Sequence, residues 1–270
     1  MTGRIFTETL GRGWRTMLYW GLGMGFYALF ITIAVLDDAA LQQISELLNS
    51  MPAFLMQGFM GSADLNFITS PNGYFAAKYF SIALLIFSAY AVMAGMAVTA
   101  NDEDAGIMDG FLSLPVHRWS VIVGRGLAYM LMLSVAVFVT YLGVVIGSFF
   151  VPHVAYDLTG IAAGTLNMLP SLFFVLAMTV LFGVLFRRRS VALGLAAAVV
   201  VFSYTIDFIA SGLGDSVLSK SGLLSFFHYY DGVGVMQEGL NLVNVGLLAA
   251  VGVVFAVLAL WRFQKRDIGL

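Results

Sequence analysis

The chain has 270 residues, 60% of them hydrophobic and 10% charged, with a formal net charge of −2 and no cysteine. An ordinary soluble domain carries about 25% charged residues, and a globule of this size cannot hide so much apolar surface behind a wettable exterior. The composition therefore excludes disulfides, thiolate metal sites and cysteine nucleophiles, offers no basic footprint for nucleic acid, and predicts a single all-helical membrane domain over residues 1–270.

The first 15 residues are amphipathic, with Ile5, Phe6 and Leu10 set against Arg4, Glu8 and Arg12. This pattern predicts a helix lying flat on the inner membrane surface. The apolar run at 16–36 is of spanning length and ends in Asp37 and Asp38, so it reads as a retained first span rather than a cleaved signal. Residues 37–78 form a long outer loop with an amphipathic stretch at Leu41, Ile44, Leu47 and Leu48. Further spans are predicted at 79–100, 127–151, 166–186, 191–210 and 240–261. The runs are continuous and do not alternate in short segments, which selects helices over a barrel. Residues 211–239 hold Leu223, Leu224, Phe226, Phe227, Tyr229 and Tyr230, too apolar for a free loop, and predict a short helix or re-entrant turn.

Placing the N-terminus inside puts every basic residue except Lys78 and Lys220 on the inner side. Arg187, Arg188 and Arg189 between spans four and five are the firmest anchor, and Trp14, Trp20, Trp119 and Trp261 fall near inner ends, as interfacial tryptophans do. Six spans with both termini cytoplasmic follow.

The inner loop between spans two and three, residues 101–125, carries the most information. Asp102, Glu103 and Asp104 open a predicted short helix, where acids complement the helix dipole. Ile107, Met108, Phe111 and Leu112 form an apolar stripe, and Pro115 ends the helix. A short helix with an apolar face on the inner side either packs on its own bundle or docks a partner.

Other candidates are sparse. His117, His153 and His228 match no metal-ligand spacing. Asp207 is the one acid well inside a predicted span, toward its outer end, and reads as a substrate-path residue or as a water-facing structural acid. Gly21-x-x-x-Gly25 permits a close helix contact. No G-x-x-x-x-G-K-[S/T] loop is present to cradle phosphates.

Glu103-Asp104, then Gly106-Ile107-Met108-Asp109, then Leu112-Ser113-Leu114-Pro115-Val116-His117-Arg118 resemble the signature of permeases of the type-2 ABC exporter family. There, acids precede Gly-Thr-Leu-Glu and a Ser-Leu-Pro-Val-Ser-Arg run follows; Ile107 and His117 replace hydroxyl residues. Ser70-Pro71-Asn72-Gly73-Tyr74 and Ser225-Phe226-Phe227-His228-Tyr229-Tyr230 are similar to outer-loop motifs of one branch of the family. The resemblance implies a permease of the bacterial or archaeal plasma membrane. It pairs with a second permease, identical or homologous, and two cytoplasmic ATPase subunits hold the ATP and Mg, so this chain binds no cofactor. It further implies ATPase docking through Glu103, Asp104, Gly106, Met108, Asp109, Phe111, Leu112, Pro115 and Arg118, and permease contacts through spans one and five, which makes Gly21 and Gly25 candidates. The cargo implied is an amphipathic or hydrophobic molecule moved outward. An ion-driven secondary transporter using Asp207, or a non-transporting membrane scaffold, are the alternatives from other classes.

Overall fold

The computed structural model describes residues 2–34, 52, 67, 70–106, 117–213 and 217–265, and the regular structure among them is entirely helical. Six helices are long and apolar enough to cross a membrane: α1 (Thr2–Ile33), α2 (Pro71–Val98), α4 (Arg118–Phe150), α5 (Leu158–Leu185), α6 (Arg189–Gly212) and α9 (Leu242–Lys265). Short α3 (Ala100–Asp104) follows α2. A 3-10 helix (Val217–Leu224), α7 (Phe226–Tyr230) and α8 (Gly234–Glu238) separate the last two spans.

The spans match the predicted ones in number and order, but the first five start earlier, and α2 and α5 do so for local reasons. Ser70 caps α2 by accepting the Gly73 N–H at 3.1 Å, and Pro71 sits in the first turn, where its missing N–H costs nothing. Asp157 caps α5 by accepting from Thr159 and Gly160 at 3.1 and 3.0 Å. The larger correction is at the N-terminus. The amphipathic segment predicted to lie flat is instead the first turns of α1, continuous with the span. Tertiary packing decides this: Ile5 and Thr9 are buried, and Ile5 rests where Gly124 of α4 leaves room. A Cβ at Gly124 would lie 3.1 Å from the Ile5 side chain.

α2 is the hub. Phe75, Tyr79, Phe80, Leu84, Phe87 and Tyr90 are all fully enclosed. α1, α4, α5 and α6 each touch α2, and each of these four touches the next in that order, while among the described residues α1 and α6 share no extensive contact that would close the ring. The exposed stripe of α2, Lys78, Ile82, Ala89 and Met93, therefore faces the gap between α1 and α6. α9 packs outside this ring, mainly on α5.

The most extensive contact among the described residues is the parallel seam of α1 with α4, built on small residues. A Cβ at Gly21 would lie 3.2 Å from the Ala136 backbone, one at Gly25 3.2 Å from the Val139 carbonyl, and one at Gly143 would overlap the Gly25 carbonyl. Lipid tails are as apolar as leucine, so burial from lipid drives little; close backbone approach is what gains dispersion energy between spans.

The segment 217–238 is no free loop. Short helices form there, as predicted, and Phe226, Phe227, Tyr230 and Val233 join the central core cluster. Buried Asn167 of α5 donates to the Tyr230 carbonyl, and Ser203 of α6 accepts from the Phe226 N–H at 3.0 Å.

Candidate functional site

Where α2 gives way to α3, two arginines from later spans converge. Arg125, in the second turn of α4, is buried, with 7% of its surface exposed. Its guanidinium donates to the Val98 carbonyl at 2.9 Å and to Asp102 Oδ2 at 2.6 Å. Val98 ends α2, so Arg125 covers one of the carbonyls that a helix C-terminus leaves without a partner. Asp102 lies in the first turn of α3, so the same side chain grips both sides of the joint. An arginine fork reaches both at once because its donors are rigidly splayed. On the other flank, Arg189 Nε, at the start of α6, donates to Asn101 Oδ1 at 2.7 Å. The joint is thus fixed to α4 by a partly buried ion pair and to α6 by an exposed charge-assisted hydrogen bond.

A small polar cavity of about 140 Å³ adjoins this joint, lined by Glu8, Thr9 and Arg12 of α1, Asn101, Asp102, Arg125 and Tyr129 among others. The N-terminal turns of α1 therefore face the same network. Arg12 is itself paired with Glu8 one turn back at 2.5 Å.

Of the predicted docking residues, Glu103 is half-buried on α3, and Asp104 and Gly106 are exposed. Arg118 begins α4. Met108, Asp109, Phe111, Leu112 and Pro115 lie outside the described residues. One feature differs from the sequence expectation. The acids and the apolar stripe do not share an uninterrupted helix, since α3 ends at Asp104 and Gly106 turns at φ +66°. That conformation suits glycine and ends helices.

Gly21 and Gly25 are both buried against α4 of the same chain. The exposed face of α1 is instead Tyr19, Leu22, Phe26 and Phe30. Asp207 is half-buried near the end of α6 opposite the arginines, close enough to Asp231 for their charges to repel. Asp231 adopts φ +31° just after α7, where its Oδ1 accepts from Gly234 at 3.0 Å. The predicted residues thus occupy both ends of the bundle and form no single constellation. Among the described residues no group of three or more potential ligands could hold a metal ion.

Sequence reasoning counted Arg125 only as an inner-side charge. A signal was available: it lies between Val121-Ile122-Val123-Gly124 and Gly126-Leu127, an apolar setting in which a charge needs a partner.

Comparison with curated proteins gives no match. A family model described as ABC-2 family transporter protein matches residues 10–268, nearly the whole chain. With six membrane-spanning helices beneath that match, the chain belongs to the ABC-2 family of transporter proteins, as a multi-pass permease subunit of an ABC transporter.

Proposed function

We propose that the chain is the permease of an ATP-driven exporter, with the arginine-rich end of the bundle in the cytoplasm. The positive-inside rule supports that orientation: Arg12, Arg125, Arg189, Arg262 and Lys265 share one end, whereas Lys78 and Lys220 sit at the other. Two ATPase subunits, which hold the ATP and Mg, dock on residues 103–118, with Glu103, Asp104, Gly106, Met108, Asp109, Phe111, Leu112, Pro115 and Arg118 forming the surface. The observation that carries this reading is the double attachment of the α2–α3 joint to α4 through Arg125 and to α6 through Arg189. A push on residues 107–116 then reaches three spans at once, as alternating access requires.

The second permease, identical or homologous, seats across the open side of α2. The α1 stripe Tyr19, Leu22, Phe26 and Phe30 and the exposed Val199, Val201 and Phe202 of α6 are available to meet it. Gly21 and Gly25, already engaged with α4, act by setting the α1 face and do not touch the partner directly. The space between two such faces is lined by apolar and aromatic side chains, which suits an amphipathic drug, lipid or peptide moved outward across the plasma membrane. Asp207 and Asp231 lie at the outer end of this path.

Charge reversal tests the docking assignment. Glu103→Lys and Asp109→Lys should each lower co-purification of the ATPase while leaving membrane insertion intact; unchanged co-purification from both overturns it. The ion-coupled alternative requires Asp207. Full ATP-dependent transport by Asp207→Asn excludes that alternative, and ATP-independent, gradient-driven transport that this variant abolishes would establish it.

A further inference from the structure

α2 and α5 run parallel in a fixed register. A Cβ at Gly164 would overlap the Phe80 ring, one at Gly95 would overlap the Thr179 side chain, and one at Gly183 would lie 3.3 Å from Thr99 Oγ1. Each of these pairs is separated by the same 84 positions. Ser88 lies two turns from Gly95 on the same face of α2, and the register sets Ser171 of α5 opposite it. α6 closes the third side. Its buried stripe includes Ala192, Ala196, Val200 and Ser203, and Ala192 packs with Met96 and Ala100 at the arginine-rich end. Three turns further along, Ser203 comes level with Ser88. Hydroxyls from all three helices therefore share one level near the middle of the bundle.

These hydroxyls are not alike. Other buried hydroxyls of the spans bond back to their own helix, as Thr32, Thr140, Thr165 and Thr179 do at 2.7–2.8 Å. Ser203 accepts from the Phe226 N–H at 3.0 Å and bonds Ser225 Oγ at 3.0 Å. Ser88 and Ser171 are fully enclosed and have no partner. Thr99, at the arginine-rich end of the same seam, has none either. It stands at the N-cap of α3, where threonine ordinarily accepts from the helix, yet it makes no cap bond and lies against Gly183 instead. The remaining enclosed hydroxyls without a partner are phenols on other faces. Tyr79 and Tyr90 meet Tyr27 and Trp20 of α1, and Tyr230 folds over Gly232. An enclosed hydroxyl with no partner disfavours the conformation that encloses it.

The two directions out of this level also differ. Toward the outer end, the Ser203–Ser225 bond and the bond from Asn167 to the Tyr230 carbonyl bar the way. Toward the arginine-rich end, the seam runs about 16 Å from Ser88 to Thr99 at 1.5 Å per residue, roughly half of a hydrocarbon core of about 30 Å. Its mouth is plugged by Met96, Ala100 and Ala192, a small cluster separate from the central core. The exposed Arg189–Asn101 contact crosses that mouth, beside the α2–α3 joint.

We infer that the α2–α5–α6 seam, from Thr99 up to Ser88 and Ser171, is a water vestibule within the single chain, closed in this conformation and hydrated when the α2–α3 joint moves. A buried water needs about two to four polar partners, and hydroxyls facing each other from α2 and α5 supply them. An apolar cargo would leave the same hydroxyls unpaired, so the vestibule is separate from the apolar path between the two permeases. That the ATPase moves the joint rests on the function proposed above; the unpartnered hydroxyls do not.

The chain has no native cysteine, so Ser88→Cys and Ser171→Cys, each nearly isosteric, report on the seam. They should be treated with a small, membrane-impermeant cationic methanethiosulfonate in the detergent-purified complex with its ATPase, nucleotide-free and with a non-hydrolysable ATP analogue. Both should react on the order of tenfold faster in one of these states than in the other. Leu84→Cys, one turn beyond Ser88, should stay unreactive in both. A second measurement needs no ATPase. Ser88→Ala and Ser171→Ala each remove an unpartnered hydroxyl and should raise the melting temperature by about 2–4 °C, whereas Ser134→Ala, which loses a bond to the Met130 carbonyl, should not. State-independent or absent labelling at positions 88 and 171, in a complex that hydrolyses ATP, overturns the vestibule and leaves the permease reading standing. Labelling of Leu84→Cys together with the other two overturns the closed outer side. Alanine variants at 88 and 171 that melt no higher than Ser134→Ala overturn the inference whether or not an ATPase accompanies the chain.

Discussion

At its arginine-rich end the bundle is tied by charge: Arg125 to Asp102 and Val98, Arg189 to Asn101. At the opposite end the ties are neutral and tightly packed. Tyr156 donates to the Thr32 carbonyl at 2.8 Å, Asn72 accepts from Asp157 N–H at 2.8 Å, Asn167 holds Tyr230, and Gly143 abuts Gly25. Neutral hydrogen bonds and close backbone contacts resist sliding and hold a fixed register. Charged pairs around a joint, beside a polar cavity of about 140 Å³, can re-form in a second geometry once an outside force moves one partner. The contrast places the moving joint at the end where the ATPase is proposed to bind and the rigid frame at the end that faces away from it.

The sharpest way to break the contrast is to remove Arg125. Arg125→Met strands Asp102 and the Val98 carbonyl in a partly buried setting and should cost about 3 kcal/mol, read as a large drop in melting temperature in detergent. Replacing both partners, R125M/D102L, should restore much of that stability, because a buried pair is often no stronger than apolar packing. Transport should stay lost in the double variant, since the joint would hold but no longer transmit. Recovery of stability and transport together would make Arg125 a purely structural residue.

The frame end should respond differently. Gly143→Ala forces α1 and α4 apart and should destabilise by about 1–3 kcal/mol, with coupled ATPase activity falling only in step with the folded fraction. Asn167→Ala leaves the Tyr230 carbonyl unpaired and should cost about 1–3 kcal/mol. Hydrogen exchange should then quicken across residues 226–238 and not at the arginine-rich end. The smallest effect belongs to Arg189→Gln, whose exposed contact should change stability by less than about 1 kcal/mol. It should nevertheless lower the ratio of transport to ATP hydrolysis if α6 is driven through Asn101. An unchanged ratio would leave α4 as the sole route.

Much of this was legible in the sequence, because the features that encode it are local. Long apolar runs specify spans, and arginine placement specifies which ends lie together; Arg187, Arg188 and Arg189 between two runs needed no tertiary knowledge. The apolar character of Leu223 to Tyr230 disclosed that the last long connection is no free loop, but not that Phe226, Phe227 and Tyr230 join the protein core while Leu223 and Leu224 stay exposed. What was not legible depends on pairing between distant segments. Nothing local to residues 2–15 says that α1 continues through them; Gly124, more than a hundred positions away, makes the room. Nothing local to Gly21 and Gly25 distinguishes a partner chain from α4, since a small-residue stripe only says that some backbone comes close. Arg125 was visible as a charge, but its role came from Asp102 and Val98, which only the folded bundle brings to it.

The central claim is that residues 103–118 receive the ATPase. The chain has no native cysteine, so single cysteines can be placed without background. Glu103→Cys and Asp109→Cys, with Asn241→Cys at the opposite end as the comparison, should be treated in native membranes with a short thiol-to-amine cross-linker. The account predicts that the two residues of the connecting segment capture a soluble subunit carrying a phosphate-binding loop, and that Asn241→Cys does not. Capture from Asn241→Cys alone, or no ATPase captured from either of the other two, would contradict it.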